Sequence, residues 1–282
     1  MPGTLYVVAT PIGNLEDVTA RALRILREVA LIAAEDTRRT AHLLDRYGIT
    51  TPTTSLHEHN EAKKTPAIVE RLMSGESVAL VSDAGTPLIS DPGGYLIKAA
   101  ILADVRIEPI PGPSAIMAAL SAAGVSTSPF TFLGFPPTRL KDRKHWFERL
   151  AKLGHTAVFF EAPHRIHETL AELVQYIGNQ SVVVCRELTK AHETLVRRPI
   201  GEISSAELRA QGELTVVIEL GHIDENVKAG QPSDADLAVE LGEMTNLTEF
   251  TRRKALAAIA RRHRMTPNQV YDAIERFKKL AE

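Results

Sequence analysis

The feature that most constrains this chain is a series of short apolar runs that do not alternate, each followed by a longer stretch with helical spacing. TLYVVA (4–9), LIAAE (31–35), SVALV (77–81) and RIEPI (106–110) have strand length, and residues 19–29, 37–47, 62–74, 94–103 and 114–123 carry the helical pattern. A strand buried on one face alternates apolar and polar residues, whereas one buried on both faces does not. The pattern predicts an α/β architecture with a mainly parallel N-terminal sheet covered on both sides. Asp17 or Thr19 caps the first helix, and Gly48 and Gly75 end the next two.

The pattern changes after Phe130. TFLGF (131–135) reads as a strand, PPTRLKDRK (136–144) as a polar connection, 145–153 and 166–176 as helices, and TAVFFE (156–161) as a strand. SVVVCREL, ETLVRRP and ELTVVIEL then follow in quick succession, with a short helix at 204–211, and predict a mixed second sheet. The small, turn-forming string AGVSTSP marks a boundary, and GHIDENVKAGQPSD reads as a linker. The expected organisation is an α/β domain at 1–124, a second at 125–221, a linker at 222–234 and a helical tail at 235–282, with helices at 235–244, 248–262 and 266–279.

At 282 residues the chain has room for two ordinary domains, and 44% hydrophobic content excludes a disordered one. A net charge of −2 excludes a polycation, so any nucleic-acid binding rests on local basic patches. The single cysteine, Cys185, rules out an internal disulfide and reads as a buried thiol within SVVVC. MPGTLYVVATPIGN is no basic leader before a long apolar run, and no stretch approaches the ~20 apolar residues of a membrane span. The expectation is a cytoplasmic protein without a membrane partner.

Three turns follow the carboxyl ends of predicted strands, where ligands gather in open α/β sheets. Pro11 and Gly13 force a turn in ATPIGNLED, which is neither a dinucleotide fingerprint nor a Walker loop. VSDAGTPLISDPGG (81–94) is longer than a connector needs, and its glycines let a ligand approach the backbone. PIPGPSA ends a strand and starts a helix with Ser114 as cap. Singly each is readable as a plain turn; together they point to a small-molecule site.

These turns, with EDTRRT, SLHEHNE, FLGFPP, FEAPHR and RELTKAHE, closely resemble the tetrapyrrole-methylase-like methyltransferases, and within them the ribosomal RNA small subunit methyltransferase I group. The resemblance covers about residues 3–220. Tetrapyrrole enzymes usually carry Gly-x-Gly-Pro-Gly in the first loop and an SGDPxxYG-like third loop. Here the loops read TPIGN and SDAGTP, which points away from a porphyrin-type substrate. The resemblance implies a two-domain fold with S-adenosylmethionine in the cleft between the domains. It further implies methylation of the ribose 2′-hydroxyl of a decoding-site cytidine in 16S rRNA, within the 30S subunit, by a homodimer.

Carried over by motif, the cofactor shell is Pro11, Ser82, Asp83, Ala84, Leu88, Ser114, Ala115, Leu133, Gly134, Leu188, Glu213 and Leu214. Asp83 would orient the cofactor's polar end, with a turn cap as its plainer role. A ribose hydroxyl is a poor nucleophile, so a base or electrostatic helper is expected. Glu161 and Lys190 lead as catalytic candidates, followed by Asp36. Their plainer roles are an ion pair with Arg165, a phosphate contact and a helix cap. Candidate RNA contacts are Arg38, His57, His59, Arg139, Lys141, Arg143, Lys144 and Arg165. Arg39, Arg197 and Arg198 belong to the same basic clusters, as do Arg252, Arg253, Lys254, Arg261, Arg262 and Arg264 in the tail. Phe132, Phe135 and Trp146 lie near the 139–144 run, either to stack a splayed base or to pack in the core. His57 and His59 form a chelate-like pair without a third ligand at metal spacing, and no metal is expected. A small-molecule methyltransferase of the same fold and a non-catalytic ribosome-assembly protein stay open as rivals.

Overall fold

The computed structural model of the chain describes residues 1–204, 208, 212–220, 234–246, 252–262 and 266–281. It divides into two compact units, Met1–Gly221 and His222–Glu282. The first unit begins with a parallel sheet of β1 (Thr4–Val8), β2 (Leu31–Ala34), β3 (Thr53–Ser55), β4 (Val78–Val81) and β5 (Arg106–Ile110), in the order β3-β2-β4-β1-β5. Its helices are α1 (Ala20–Glu28), α2 (Thr37–Arg46), α3 (Glu61–Met73), α4 (Gly94–Leu102) and α5 (Ala115–Ala123). Alternate strand residues feed two cores. Val8, Ile32, Ala79 and Val81 pack with α1 and α2, while Leu5, Leu31, Val78 and Leu80 pack with α3 and α4. That double coverage explains the unalternating strands.

The helix starts follow local chemistry. Thr19 caps α1 by accepting from the Ala22 N–H, and Ser114 caps α5 by accepting from Met117. Gly93 offers α4 no side-chain cap, and buried Glu61 replaces it, accepting from the N–H groups of Tyr95 at 2.6 Å and Leu96 at 3.2 Å. Part of SLHEHNE is thus structural: Asn60 Oδ1 accepts from the His57 N–H at 2.9 Å and holds the turn that delivers Glu61.

The second sheet has the order β6-β7-β10-β8-β9, from β6 (Phe130–Phe132), β7 (Thr156–Glu161), β8 (Ser181–Arg186), β9 (Thr194–Pro199) and β10 (Leu214–Ile218). β6 and β7 are parallel and the other pairs antiparallel, so the sheet is mixed. One face, with Phe159, Val184 and Val216, packs on α6 (Leu140–Ala151) and α7 (Ile166–Ile177). The other face, with Val158, Val183, Cys185 and Val217, packs on α5 through Ile116, Ala119 and Leu120. A helix that follows β5 in the chain therefore closes the core of the second sheet, and both sheets share one compact unit.

Three elements depart from expectation. β6 ends at Phe132, so Leu133, Gly134 and Phe135 of TFLGF lie beyond the strand. β3 spans three partly exposed residues, too few for periodicity to register. α6 starts at Leu140, so residues 140–144 are its first turns and not a connection. In the second unit α8 (Asp234–Asn246), α9 (Arg252–Arg262) and α10 (Pro267–Ala281) meet through Leu237, Ala255, Ile259, Val270 and Ile274. The expected helix at 204–211 and the linker at 222–234 fall largely outside the described residues, as do Arg264 and the side chains of Arg252, Arg253, Lys254, Arg261 and Arg262. Among the described residues no helix is long and apolar enough to cross a membrane.

Candidate active site

The strand order places β4 beside β1, and the chain leaves them on opposite faces, towards α4 and α1. A crevice opens at such a point, at the carboxyl ends of the strands. Three loops line it and are tied together. Thr10 and Gly85 exchange backbone hydrogen bonds of 2.9 and 3.0 Å, Thr10 Oγ1 donates to the Ser82 carbonyl at 3.2 Å, and Thr86 Oγ1 donates to the Pro113 carbonyl at 3.4 Å. Leu88 and Ser90 take φ values of 76° and 68°, a left-handed conformation that costs energy outside glycine. Residues 82–91 are thereby a shaped wall.

The facing wall comes from the second sheet: Phe160 of β7, Leu214 and Thr215 of β10, and Glu187, Leu188 and Lys190 after β8. The Asn14 N–H donates to Thr189 Oγ1 at 3.0 Å, joining the walls. Gly13 is required at this junction, because a Cβ there would lie 2.5 Å from Lys190 Cγ.

The cleft is acidic. Glu35, Asp83, Asp91, Glu187 and Glu213 line it, against the cations Arg39 and Lys190. Both cations are engaged, Lys190 Nζ donating to Glu187 Oε1 at 2.9 Å and Arg39 lying 3.3 Å from Asp83 Oδ2. Asp83 Oδ1 also accepts from the Asp36 N–H at 2.9 Å, and the Asp83 N–H donates to Glu35 Oε2 at 3.3 Å, so the second and third loops are stitched by carboxylates. Burial pushes the Asp91 carboxyl from its usual 3.8 up to about 6, with Glu35, Asp83 and Glu213 adding to the rise and a hydrogen bond with Ser82 opposing it. Burial raises Glu35 as well, opposed by the hydrogen bond it accepts from the Asp83 N–H and only partly reinforced by the Asp83 charge.

Of the residues expected to hold a cofactor, Asp83, Ala84, Ser114, Ala115, Leu188, Glu213 and Leu214 line the cleft. Pro11, Ser82, Leu88, Leu133 and Gly134 are not among its lining residues. The catalytic candidates separate. Lys190 lines the cleft. Asp36 caps α2, accepts from the Arg38 N–H and pairs with the Arg38 guanidinium at 2.7 Å, which holds its carboxyl far below the usual range and leaves it a weak base. Glu161 corrects the expectation that it faces the cleft. Strand alternation puts Phe160 on the cleft side and turns Glu161 to the other face, where it is fully buried, accepts from Thr169 Oγ1 and the Ala162 N–H, and lies 3.6 Å from Arg165 Nε.

The RNA candidates separate too. Arg38, Arg139, Lys141 and Lys144 are exposed, as is His59, and His57 is half-buried with its ring 6.0 Å from that of His59. Arg143 is not available to a phosphate: it is buried, holds Glu172 at 3.0 Å and donates to Thr169 Oγ1 at 2.9 Å. Arg165 donates to the Pro136 carbonyl at 2.8 Å, and Arg197 to the carbonyls of Ala122 and Ala123. Trp146 is 2% exposed and belongs to the core. Reasoning from the sequence missed Glu35, Arg39, Asp91, Phe160 and Glu187 as lining residues, although each neighbours or lies within a string that carries the resemblance. Among the described residues no group of three or more His, Cys, Asp or Glu is placed to hold a metal ion.

Comparison with known proteins agrees with this layout. A family model described as Tetrapyrrole (Corrin/Porphyrin) Methylases matches residues 4–204. The ribosomal RNA small subunit methyltransferase I of Vibrio cholerae is 44% identical over 273 residues, spanning 95% of this chain and 92% of that protein. The protein of the same name from Pseudomonas aeruginosa is 41% identical over 283 residues, spanning 98% and 99%. Among solved structures, a diphthine synthase superposes with a TM-score of 0.62 at 14% identity over 77% of this chain and 90% of that one. A uroporphyrin-III-C-methyltransferase from Thermus thermophilus gives 0.55 at 18% identity over 80% and 98%. These two bear on the fold alone, while the sequence relatives place the chain more narrowly. The chain belongs to the tetrapyrrole methylase family and, within it, to the ribosomal RNA small subunit methyltransferase I group.

Proposed function

We propose that the chain transfers a methyl group from S-adenosylmethionine to the ribose 2′-hydroxyl of a decoding-site cytidine in 16S rRNA. It does so on the 30S subunit, as a cytoplasmic homodimer that needs no metal. The observation that carries this reading is a cleft walled by desolvated carboxylates in a chain 44% identical to a ribosomal RNA small subunit methyltransferase I.

S-adenosylmethionine brings a methyl group on a positively charged sulfur, together with an ammonium and a carboxylate. The lining fits those charges. Half-buried carboxylates crowded along one wall attract an arriving cation, which suits Glu35, Asp83 and Asp91 to the positive groups. The first turn of α5, at Ser114 and Ala115, offers backbone N–H groups to a carboxylate. Ile12, Ile116, Leu188 and Leu214 supply apolar wall. Lys190, steadied by Glu187, is the helper we place beside the hydroxyl, where its ammonium stabilises negative charge developing on oxygen. Arg38, Arg139, Lys141 and Lys144 are the exposed cations for phosphates. The test is the nucleoside content of 16S rRNA after unmethylated subunits meet the purified chain and cofactor.

A pH dependence follows from Asp91. Its charge is lost as pH falls through about 6, so cofactor affinity falls below that value, and Asp91→Asn flattens the profile. The stability effect has the opposite sense. A carboxyl raised in the folded state binds more protons there than when unfolded, so its contribution is fully present below about 3.8 and lost as pH rises through about 6. Asp91→Asn therefore stabilises the fold at pH 7, by about 1 kcal/mol after solvent screening. Calorimetric affinity and chemical denaturation across pH 5–8 measure both effects. A flat wild-type affinity profile would remove Asp91 from the site.

A further inference from the structure

The segment 132–139 carries an aromatic ring that the core does not use. Phe135 is 49% exposed, lines the cleft, and lies 5.4 Å from the Phe160 ring. Its neighbours behave otherwise: Trp146 is buried, and Phe132 packs edge-on against Phe160 at 4.9 Å. Exposing so much apolar ring is unfavourable, and a flexible loop would turn it inward.

This loop is not free to turn. Its carbonyls are fixed one after another. Trp146 Nε1 donates to Leu133 O at 3.2 Å, the Phe160 N–H to Gly134 O at 3.0 Å, Arg165 to Pro136 O at 2.8 Å, and Arg143 to Pro137 O at 3.4 Å. The two arginines are themselves locked by buried or half-buried acids, Arg143 by Glu172 and Arg165 by Glu161, with Thr169 bridging Arg143 and Glu161. A buried chain of charges thus clamps the backbone on either side of the exposed ring. Exposed Arg139, Lys141 and Lys144 follow within a few residues. An aromatic platform beside a row of cations is how proteins hold an unpaired nucleobase and its phosphates.

Building on the RNA substrate proposed above, we infer that Phe135 is the platform on which the unpaired target base stacks, with Arg143 and Arg165 as the positioning residues that set it. Stacking supplies affinity without charge. Phe135→Ala therefore raises KM for small subunits about tenfold, leaves the cofactor dissociation constant unchanged and leaves the salt slope of RNA binding unchanged. Phe135→Trp keeps KM near the wild-type value. Replacing Arg139, Lys141 and Lys144 together with alanine instead flattens the salt slope.

The positioning role is read from a double-mutant cycle. Arg165→Lys keeps a cation beside Glu161 but loses the guanidinium fork that grips the loop carbonyls. It raises KM in the wild-type background and has little further effect in Phe135→Ala. The inference is overturned if Phe135→Ala leaves KM unchanged or weakens the cofactor in proportion, which would assign the ring to the cofactor. It is overturned in its positioning part if the two substitutions add in full. A wild-type chain that transfers no methyl to RNA defeats the underlying reading itself, and that failure shows in the wild type before any variant is compared.

Discussion

Asp83→Ala abolishes cofactor binding, with calorimetric affinity falling more than about 100-fold. The carboxylate holds the Asp36 N–H and Arg39 while it lines the cleft. Losing the negative charge that faces the positive cofactor, in a wall that the Asp36 N–H and Arg39 no longer anchor, costs about 3 kcal/mol of binding, which corresponds to that fold-change. Asp83→Asn separates the contributions, because its amide oxygen still accepts from Asp36 while the charge is gone. It falls between wild type and alanine if attraction to a positive cofactor matters. Near-normal affinity in the folded Asp83→Ala chain removes Asp83 from the cofactor site.

Glu161→Ala acts on the fold and not on the chemistry. The carboxylate is fully buried under β7, accepts from Thr169 and the Ala162 N–H, and faces Arg165. Removing one member of a buried charged network strands the others, at a cost of about 3 kcal/mol. For a unit of this size that lowers the melting temperature by about 10 °C. Glu161→Gln keeps an acceptor for Thr169 and loses less. Cofactor affinity of the folded fraction stays close to wild type in both. A Glu161→Gln chain that melts normally but has lost kcat at saturating small subunits would instead return Glu161 to the reaction, since loosening Arg165 raises KM alone.

Much of the fold is legible in the sequence because burial on both faces leaves a direct mark. The runs at β1, β2 and β4 lack alternation for the reason the packed helices reveal, whereas β5 lies at the sheet edge with only Ile110 buried. Of the two candidates for capping α1 it is Thr19 and not Asp17 that does so, and Ser114 caps α5 as expected. β3 left no such mark, being three partly exposed residues. The site was legible as loops but not as side chains. The Ser82 to Gly94 string, TPIGN and PGPSA announced the crevice. The direction of Glu161 depended on a register of alternation that a uniformly apolar strand conceals, since TAVFF gives no clue to which face is which. Arg143 misled for a related reason. The run KDRK reads as a uniform basic patch, yet once it coils into α6 one of its members points into the core towards Glu172. Glu35, Asp91 and Glu187 escaped notice because what makes them distinctive is their crowding around one cavity, a property of the fold rather than of spacing.

Small subunits from cells lacking this methyltransferase are incubated with the purified chain and S-adenosylmethionine, and the 16S rRNA is digested and analysed by mass spectrometry. The predicted result is one additional methyl group, on the ribose of a decoding-site cytidine, absent when Asp83→Ala replaces the wild type. No gain in mass, or a methyl group found on a base, would overturn the ribose 2′-O assignment.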